Sequence, residues 1–202
     1  YDPLATVDDS SCCYNSSQIW TQIGQDIDGL IGSNSGASVS ISNDGSIVAI
    51  GSPRGGNNWS GEVRLYKNLN NTWIQIGQTI LGESDYDESG RYVSLNSSGT
   101  IVAIGATRND GNGNNAGHVR IYENIGGSWT QIGQDIDGLN IDDQFGTTVS
   151  INDLGNIVAI GTPQIFHPTH FLSKGQVRVF ENIGGNWTQI GQDIDGEYAN
   201  EQ

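Results

Sequence analysis

Three features of this 202-residue sequence predict an all-β fold of four-stranded antiparallel sheets in tandem. First, a long pattern recurs. Gly117-His118-Val119-Arg120-Ile121-Tyr122-Glu123-Asn124, followed by Trp129-Thr130-Gln131-Ile132-Gly133-Gln134, has counterparts beginning at Gly61 and at Gly175. Second, short apolar runs such as Ile101-Val102-Ala103-Ile104 alternate with turn residues such as Asn43-Asp44-Gly45 and Ile125-Gly126-Gly127. Runs this short, bounded by Asn, Asp and Gly, read as meander strands. Third, no stretch sustains a 3.6-residue period. Recurrence on this scale marks a repeat architecture.

Each repeat holds four strands. In the second copy these are residues 91–95, 100–105, 119–122 and 129–132, here termed a, b, c and d. Trp20, Trp73, Trp129 and Trp187 are 53, 56 and 58 residues apart. The step from valine to tryptophan is 10 in every copy, as in Val63 to Trp73. The step from glycine to valine grows from 12 (Gly51 to Val63) to 14 (Gly105 to Val119) to 16 (Gly161 to Val177). Length changes collect where no core is disturbed, so the b-to-c connection is a surface loop.

Strand b is apolar on both faces: Ile47 and Ala49 point one way, Val48 and Ile50 the other. A sheet with one wet face would alternate, so each sheet is expected to lie between neighbours. Radially packed four-stranded sheets are β-propeller blades. The tryptophan heading strand d would cap the contact between blades. Burying one indole removes about 150–250 Å² from water. That is worth about 4–6 kcal/mol as an upper bound. Three complete blades span about 36–80, 90–136 and 146–194. A lone strand d precedes them at 20–27, and residues 197–202 open a further repeat. Closed propellers have four blades or more, so the expectation is an incomplete propeller or an open array. The lone strand would complete a blade that lacks one, by β-strand addition.

Residues 144–151, Gln-Phe-Gly-Thr-Thr-Val-Ser-Ile, and Ala49-Ile50-Gly51-Ser52-Pro53 resemble the two ends of the FG-GAP repeat. Ser35-Gly36 and Ser89-Gly90 stand in place of Phe145-Gly146. Gly105-Ala106-Thr107 and Gly161-Thr162-Pro163 replace the second end. The resemblance covers residues 20–196 and implies blades like those of integrin α-chains and other surface proteins. Residues 1–17 lie outside the repeat. Their run Tyr1 to Cys12 resembles part of an acidic, cysteine-ending spacer of secreted proteins, in which Asp2, Asp8 and Asp9 would bind calcium; an ordinary acidic linker is the plainer alternative.

Eight basic residues against 23 acidic give a formal charge of −15. Nucleic acid and anionic lipid are therefore not expected partners. In a meander the d-to-a and b-to-c connections emerge at one end. Most of the acidic residues fall there, among them Glu83, Asp85, Asp87, Glu88, Asp135 and Asp137. That end is expected to meet cations or a cationic protein surface. The longest apolar run is far too short to cross a bilayer as a helix, and no membrane insertion is expected. The sequence has no methionine and no recognisable leader, which reads as a mature or excised piece. Cys12 and Cys13 are adjacent and are the only cysteines. A disulfide between neighbours is strained, so each is expected to pair outside this segment or with a second chain.

No cofactor is demanded by any motif. Calcium is the cation for which a loop is offered: Asp110, Asn112 and Asn114 place oxygen side chains at alternate positions, although a plain glycine-rich loop is the favoured reading. The repeated Gln-Asp-Ile-Asp-Gly carries paired carboxylates that read first as solvated strand ends. Acceptors for asparagine-linked glycans occur at Asn15, Asn58, Asn70, Asn96 and Asn186. His118 occupies the slot of Glu62 and Gln176 and is expected to be a solvated strand residue. His167 and His170 flank Pro168 in the longest loop without an evident third ligand. No nucleophile elbow or phosphate loop is found. The functional expectation is a non-enzymatic extracellular or cell-surface protein of structural or adhesive type. It would belong to a long surface protein or to a self-associating filament. An integrin-like ligand-binding head and, more weakly, a carbohydrate-active propeller enzyme are the alternatives.

Overall fold

The computed structural model describes residues 21–163 and 175–196. Blade 1 comprises β1 (Ser38–Ile41), β2 (Ile47–Ser52), β3 (Glu62–Leu69), β4 (Thr72–Gln75) and β5 (Ile80–Leu81). Blade 2 comprises β6 (Tyr92–Leu95), β7 (Ile101–Ala106), β8 (His118–Ile125), β9 (Ser128–Gln131) and β10 (Ile136–Asp137). Blade 3 comprises β11 (Thr148–Ile151), β12 (Ile157–Thr162), β13 (Gln176–Ile183), β14 (Asn186–Gln189) and β15 (Ile194–Asp195). All pairings between these strands are antiparallel. The register repeats across the blades: Gly51 faces Val63, Gly105 faces Val119 and Gly161 faces Val177. The expected a-b-c-d meander is thus present three times.

Beyond the expected strand d the outer strand resumes, after a break, in a two-residue segment. β4 pairs with the far half of β3, at Tyr66 to Leu69, while β5 pairs with Glu62 and Val63. The break lies at Ile76-Gly77-Gln78-Thr79. Gly77 has φ +70°, a left-handed conformation open to glycine at little cost. Gly133 and Gly191 repeat it at φ +75°. The kink turns the outer strand toward the next blade and aims a glutamine at it.

That glutamine grips a tryptophan. Trp129 donates its backbone N–H to Gln78 Oε1 (3.0 Å) and accepts from Gln78 Nε2 (2.6 Å). Its indole Nε1 donates to Ile76 O (2.9 Å). Trp187 is held the same way by Gln134 (3.1 and 2.7 Å) and by Ile132 O (2.8 Å). An amide side chain carries both a donor and an acceptor, so it imitates one step of a β-ladder. A Cβ on Gly77 would sit 2.7 Å from Trp129 Cδ1, which ties the glycine to the docked indole as well as to the kink.

Two apolar clusters fill the spaces between blades. Ile47, Ala49, Val63, Leu65 and Ile80 of blade 1 meet Val93, Leu95, Val102, Ile104 and Trp129 of blade 2. Ala103, Val119, Ile121 and Ile136 of blade 2 meet Phe145, Ile151, Val158, Ile160, Phe180 and Trp187 of blade 3. Strand b is therefore apolar on both faces because each face serves a different interface. Inner strands are cross-linked by hydroxyls: Ser40 Oγ accepts from Leu95 N (2.9 Å), and Ser94 Oγ accepts from Ile151 N (3.2 Å).

The lone strand d needs correction. Among its described residues, 21–27, no β-pairing forms. Instead Ile23 O accepts from Trp73 Nε1 (2.9 Å), and Gln25 bonds Trp73 N and O (3.2 and 3.0 Å). The segment keeps the grip of an outer strand without the strand c it would pair with. Trp20 and residues 197–202 lie outside the described residues.

Trp129→Ala and Trp187→Ala should each lower unfolding stability in urea by about 3–5 kcal/mol. Trp73, half-buried at the end of the array, should cost measurably less. Gln78→Glu, which opposes acceptor to acceptor at Trp129 O, should cost about 1–3 kcal/mol.

Candidate functional site

The b-to-c and d-to-a connections meet at one end of the array, as the meander requires. Between blades 1 and 2 the joint is made by Gly61 bridging Ser89 and by Asn109. Asn109 is buried, and its Nδ2 donates to Glu83 Oε1 (2.8 Å) and Asp87 Oδ2 (3.0 Å). Asp87 Oδ2 also accepts from Ser84 N (3.1 Å), which shapes the turn that presents Glu83.

β8 opens with His118 and Arg120, two residues apart and so on one face of the strand. Asp135 enters from the kink between β9 and β10. Arg120 Nε donates to Asp135 Oδ1 (2.8 Å) and Nη2 to Asp135 Oδ2 (2.6 Å). The same Nη2 also reaches Glu83 Oε2. His118 is 2% exposed. Its Nδ1 stands 3.8 Å from Glu83 Oε1 and 4.0 Å from Asp135 Oδ2, with no hydrogen-bond partner. The expectation of a solvated His118 is therefore overturned. The first residue of strand c is covered by the connection arriving from the neighbouring blade, which strand periodicity does not reveal.

Burial, and then the Arg120 charge, push His118 down to about 4; the attraction of Asp135 and Glu83 does not offset them. The imidazole is neutral at neutral pH, so its contacts with the two carboxylates are not ion pairs. The hydrogen bonds from Arg120 hold Asp135 below the usual carboxylate range, against its own burial. Burial works to raise Glu83, but hydrogen bonds from Arg120 and Asn109 outweigh it and hold it low. Burial also opposes the Arg120 charge, yet its two carboxylates keep it above its ordinary value. Asp87 and Asp137 are raised, chiefly by burial; repulsion from Glu83 adds to both, and from Asp135 to Asp137.

The sister blades lack this arrangement. At the place of Glu83 they carry Leu30 and Leu139; at that of His118, Glu62 and Gln176; at that of Asp135, Thr79 and Asp193. Arg64 in blade 1 lies with its Nε 3.4 Å from Glu62 Oε1. Arg178 in blade 3 stacks over Phe145 (4.1 Å) and Phe180 (5.5 Å) and donates to Asp137 O (2.8 Å). One arginine position thus has three different settings. The signal available in the sequence was two departures from the repeat, Glu83 and His118, at positions that the meander brings together.

The remaining expected sites fall elsewhere. Asp110, Asn112 and Asn114 lie exposed in the b-to-c loop of blade 2. Asp110 Oδ1 accepts from Asn115 N (2.8 Å), Asn112 Nδ2 donates to Gly138 O (2.8 Å), and Asn114 Oδ1 accepts from Asn115 Nδ2 (2.8 Å). Asp110 and Asn114 thus serve the loop's own bonding, while Asn112 ties the loop to the connection that follows β10. Asn58, Asn70 and Asn186 are exposed. Asn96 is buried, with its amide bonded to Ser98 Oγ and Ile101 N. Asn15, Cys12, Cys13, His167 and His170 lie outside the described residues.

No family model matches the chain, and no curated protein matches it. Among solved structures, it is similar to hydrazine synthase from Kuenenia stuttgartiensis at 10% identity and a TM-score of 0.48. That match covers 78% of this chain and 36% of the other. Sqt1 from Saccharomyces cerevisiae is similar at 15% identity and a TM-score of 0.49, over 81% and 36% of the two chains. The tricorn protease is similar at 13% identity and a TM-score of 0.43, over 76% and 13%. The chain spans about a third of the first two. At these values the likeness carries nothing about activity, and the fold rests on the three sheets themselves.

Because His118 is neutral and buried when folded but takes a proton freely when unfolded, the unfolded state binds more protons between pH 6.5 and about 4. Stability rises with pH across that window and is lost as pH falls through it. The depressed Glu83 and Asp135 contribute stability that is lost only at lower pH. Urea titrations at pH 7 and pH 4.5 should show a loss of about 2 kcal/mol in the parent, at roughly 1.4 kcal/mol per pH unit for His118. Asp87 and Asp137 offset it in part, since their raised carboxyls take up protons in the folded state first. His118→Gln should remove most of that loss.

Proposed function

We propose that the chain is a non-enzymatic structural unit of an extracellular or cell-surface array, built of FG-GAP-type blades, whose two open flanks seat further blades of the same repeat. The observation that carries this reading is the exposure at both ends of side chains that the internal contacts bury. Val39 is 63% exposed, whereas its counterpart Val93 is 9% exposed. Ile194 is 62% exposed, whereas its counterpart Ile136 is 4% exposed. Bare apolar side chains at both ends of an array are interaction surfaces. The flank holding Ile194 corresponds to the one that receives a blade inside the chain, and the flank holding Val39 to the one that is received. Such a head-to-tail contact repeats without closing unless the rotation closes it.

The third glutamine grip supports the same reading. A Cβ on Gly133 would sit 2.6 Å from Trp187 Cδ1, whereas one on Gly191 would meet nothing within 4 Å. Ile190-Gly191-Gln192 has no tryptophan before it among the described residues. The FG-GAP assignment draws support from Phe145, which is fully buried and packs edge-on to Phe180 at 6.4 Å. Exposed acceptors at Asn58, Asn70 and Asn186 suit a secreted setting. The formal charge of −15 suits cations or a cationic protein surface as outside partners.

In the 202-residue chain the seat is filled by a second copy, whose Ile190-Gly191-Gln192 replaces Ile23-Gly24-Gln25 on Trp73. Light scattering after gel filtration should show mass rising with concentration. Ile194→Glu alone and Val39→Glu with Ile41→Glu should each give monomers. Mixing the two variants should give a one-to-one dimer, since each retains the flank the other lacks. A parent that stays monomeric at every concentration refutes the reading.

A further inference from the structure

We propose that Glu83, His118 and Asp135 form a site for one divalent transition-metal ion of the zinc class, set between blade 1 and blade 2. The proposal stands apart from the association of blades. The ligand atoms of the three residues all lie within 4.8 Å of one another. Tetrahedral zinc, with bonds of roughly 2.0–2.2 Å to nitrogen and oxygen, holds its ligand atoms about 3.3–3.6 Å apart. The 3.8 and 4.0 Å separations around His118 Nδ1 need only a slight closing.

The second and independent observation is His118 itself. Its imidazole is almost wholly enclosed, and Nδ1 has no hydrogen-bond partner while facing both carboxylates. A buried nitrogen left unpaired is unfavourable, and a metal ion supplies a partner where hydrogen bonds do not. Neutral imidazole is the form that binds metal. One nitrogen with two carboxylate oxygens suits zinc and its first-row neighbours; calcium and magnesium prefer oxygen alone.

The groups around the triad fit the same role. Arg120 grips Glu83 Oε2 and both oxygens of Asp135, and Asn109 Nδ2 bonds Glu83 Oε1. Such outer contacts fix the orientation of metal ligands. Arg120, and Arg178 beside Asp137, are two positive charges among four carboxylates: Glu83 and Asp135, Asp87 joined through Asn109, and Asp137 opposite His118 in the β10–β8 pair. A divalent ion corrects the imbalance. Glu83 leaves the outer edge of blade 1, whereas His118 and Asp135 belong to blade 2. A bound ion therefore staples the two blades together at their loop end. Neither sister blade repeats the triad, since both place leucine at the Glu83 position.

The test uses the full chain with its other strong ligands removed by Cys12→Ser, Cys13→Ser, His167→Asn and His170→Asn. Zinc alone is titrated by calorimetry, and melting is followed with and without it. One ion should bind per chain. At about a hundredfold excess over its dissociation constant it should raise the melting midpoint by roughly 5–10 °C. Calcium and magnesium should do neither. Glu83→Leu and His118→Gln install residues that the sister blades carry, and each should abolish the shift. Cobalt added to the parent should give the visible bands of a nitrogen- and oxygen-ligated ion, which decides the matter if a variant fails to fold. Absence of binding in the parent, an unchanged shift in both variants, or a cobalt spectrum no different from that of the hydrated ion overturns the proposal.

Discussion

The structure depends on the glutamine that each outer strand turns toward its neighbour. A propeller-type array must solve two problems where blades meet: apolar faces must be covered, and outer strands must not be left as open edges. The indole of Trp129 answers the first by filling the gap beside β8 and β9. The amide of Gln78 answers the second by bonding both backbone groups of that tryptophan. The kink at Gly77 makes the two compatible, because an unbroken outer strand would keep Gln78 within its own sheet. Glycine, glutamine and tryptophan thus form one device spread over two repeats, with partners 51 residues apart from Gln78 to Trp129.

This explains why the repeat spacing varies without disturbing the interfaces. Gln25 reaches Trp73 across 48 residues, and Gln134 reaches Trp187 across 53. The difference is absorbed mainly in the b-to-c loops, which lie at the opposite end of each blade from the d strand's tryptophan turn. Stability in such an array is close to a sum over blades and their contacts. The middle blade, with both faces covered, carries the fully buried Val102, Ala103, Val119 and Ile121. The outer blades each bury one face and leave the other partly bare.

Much of the fold was legible because recurrence converts one ambiguous segment into three consistent ones. The apolar strand b and the constant step from Val63 to Trp73 locate strands and register, and the varying glycine-to-valine step locates the loop. The break between β4 and β5 was hidden, because Gln75-Ile76-Gly77-Gln78 reads equally as a continuous strand when its partner is unknown. The same ignorance made residues 20–27 read as a strand. Pairing needs a strand c beside it, and among the described residues there is none. His118 was misread for a related reason. Comparing it with Glu62 and Gln176 treats the slot as equivalent, yet Glu62 is also buried. His118 is covered by the connection from the blade before, which belongs to a different repeat, whereas Glu62 lies against Gly55 of its own b-to-c loop.

The arginine shared by the three blades shows how a repeat can diversify without losing its frame. Arg64, Arg120 and Arg178 hold one register position on strand c. A buried guanidinium needs either counter-charge or an aromatic face. Blade 1 provides Glu62 and blade 3 provides Phe145 with Phe180, both within or beside the blade itself. Blade 2 instead draws Glu83 from the preceding connection and Asp135 from its own kink. That choice brings two carboxylates to an enclosed histidine whose nitrogen has nothing else to face. The backbone that carries these groups is the same in all three blades; only side chains at loop-end positions differ. Chemistry can therefore be added to one blade while the glutamine and tryptophan contacts stay as they are, even where Asp135 directly follows the gripping Gln134.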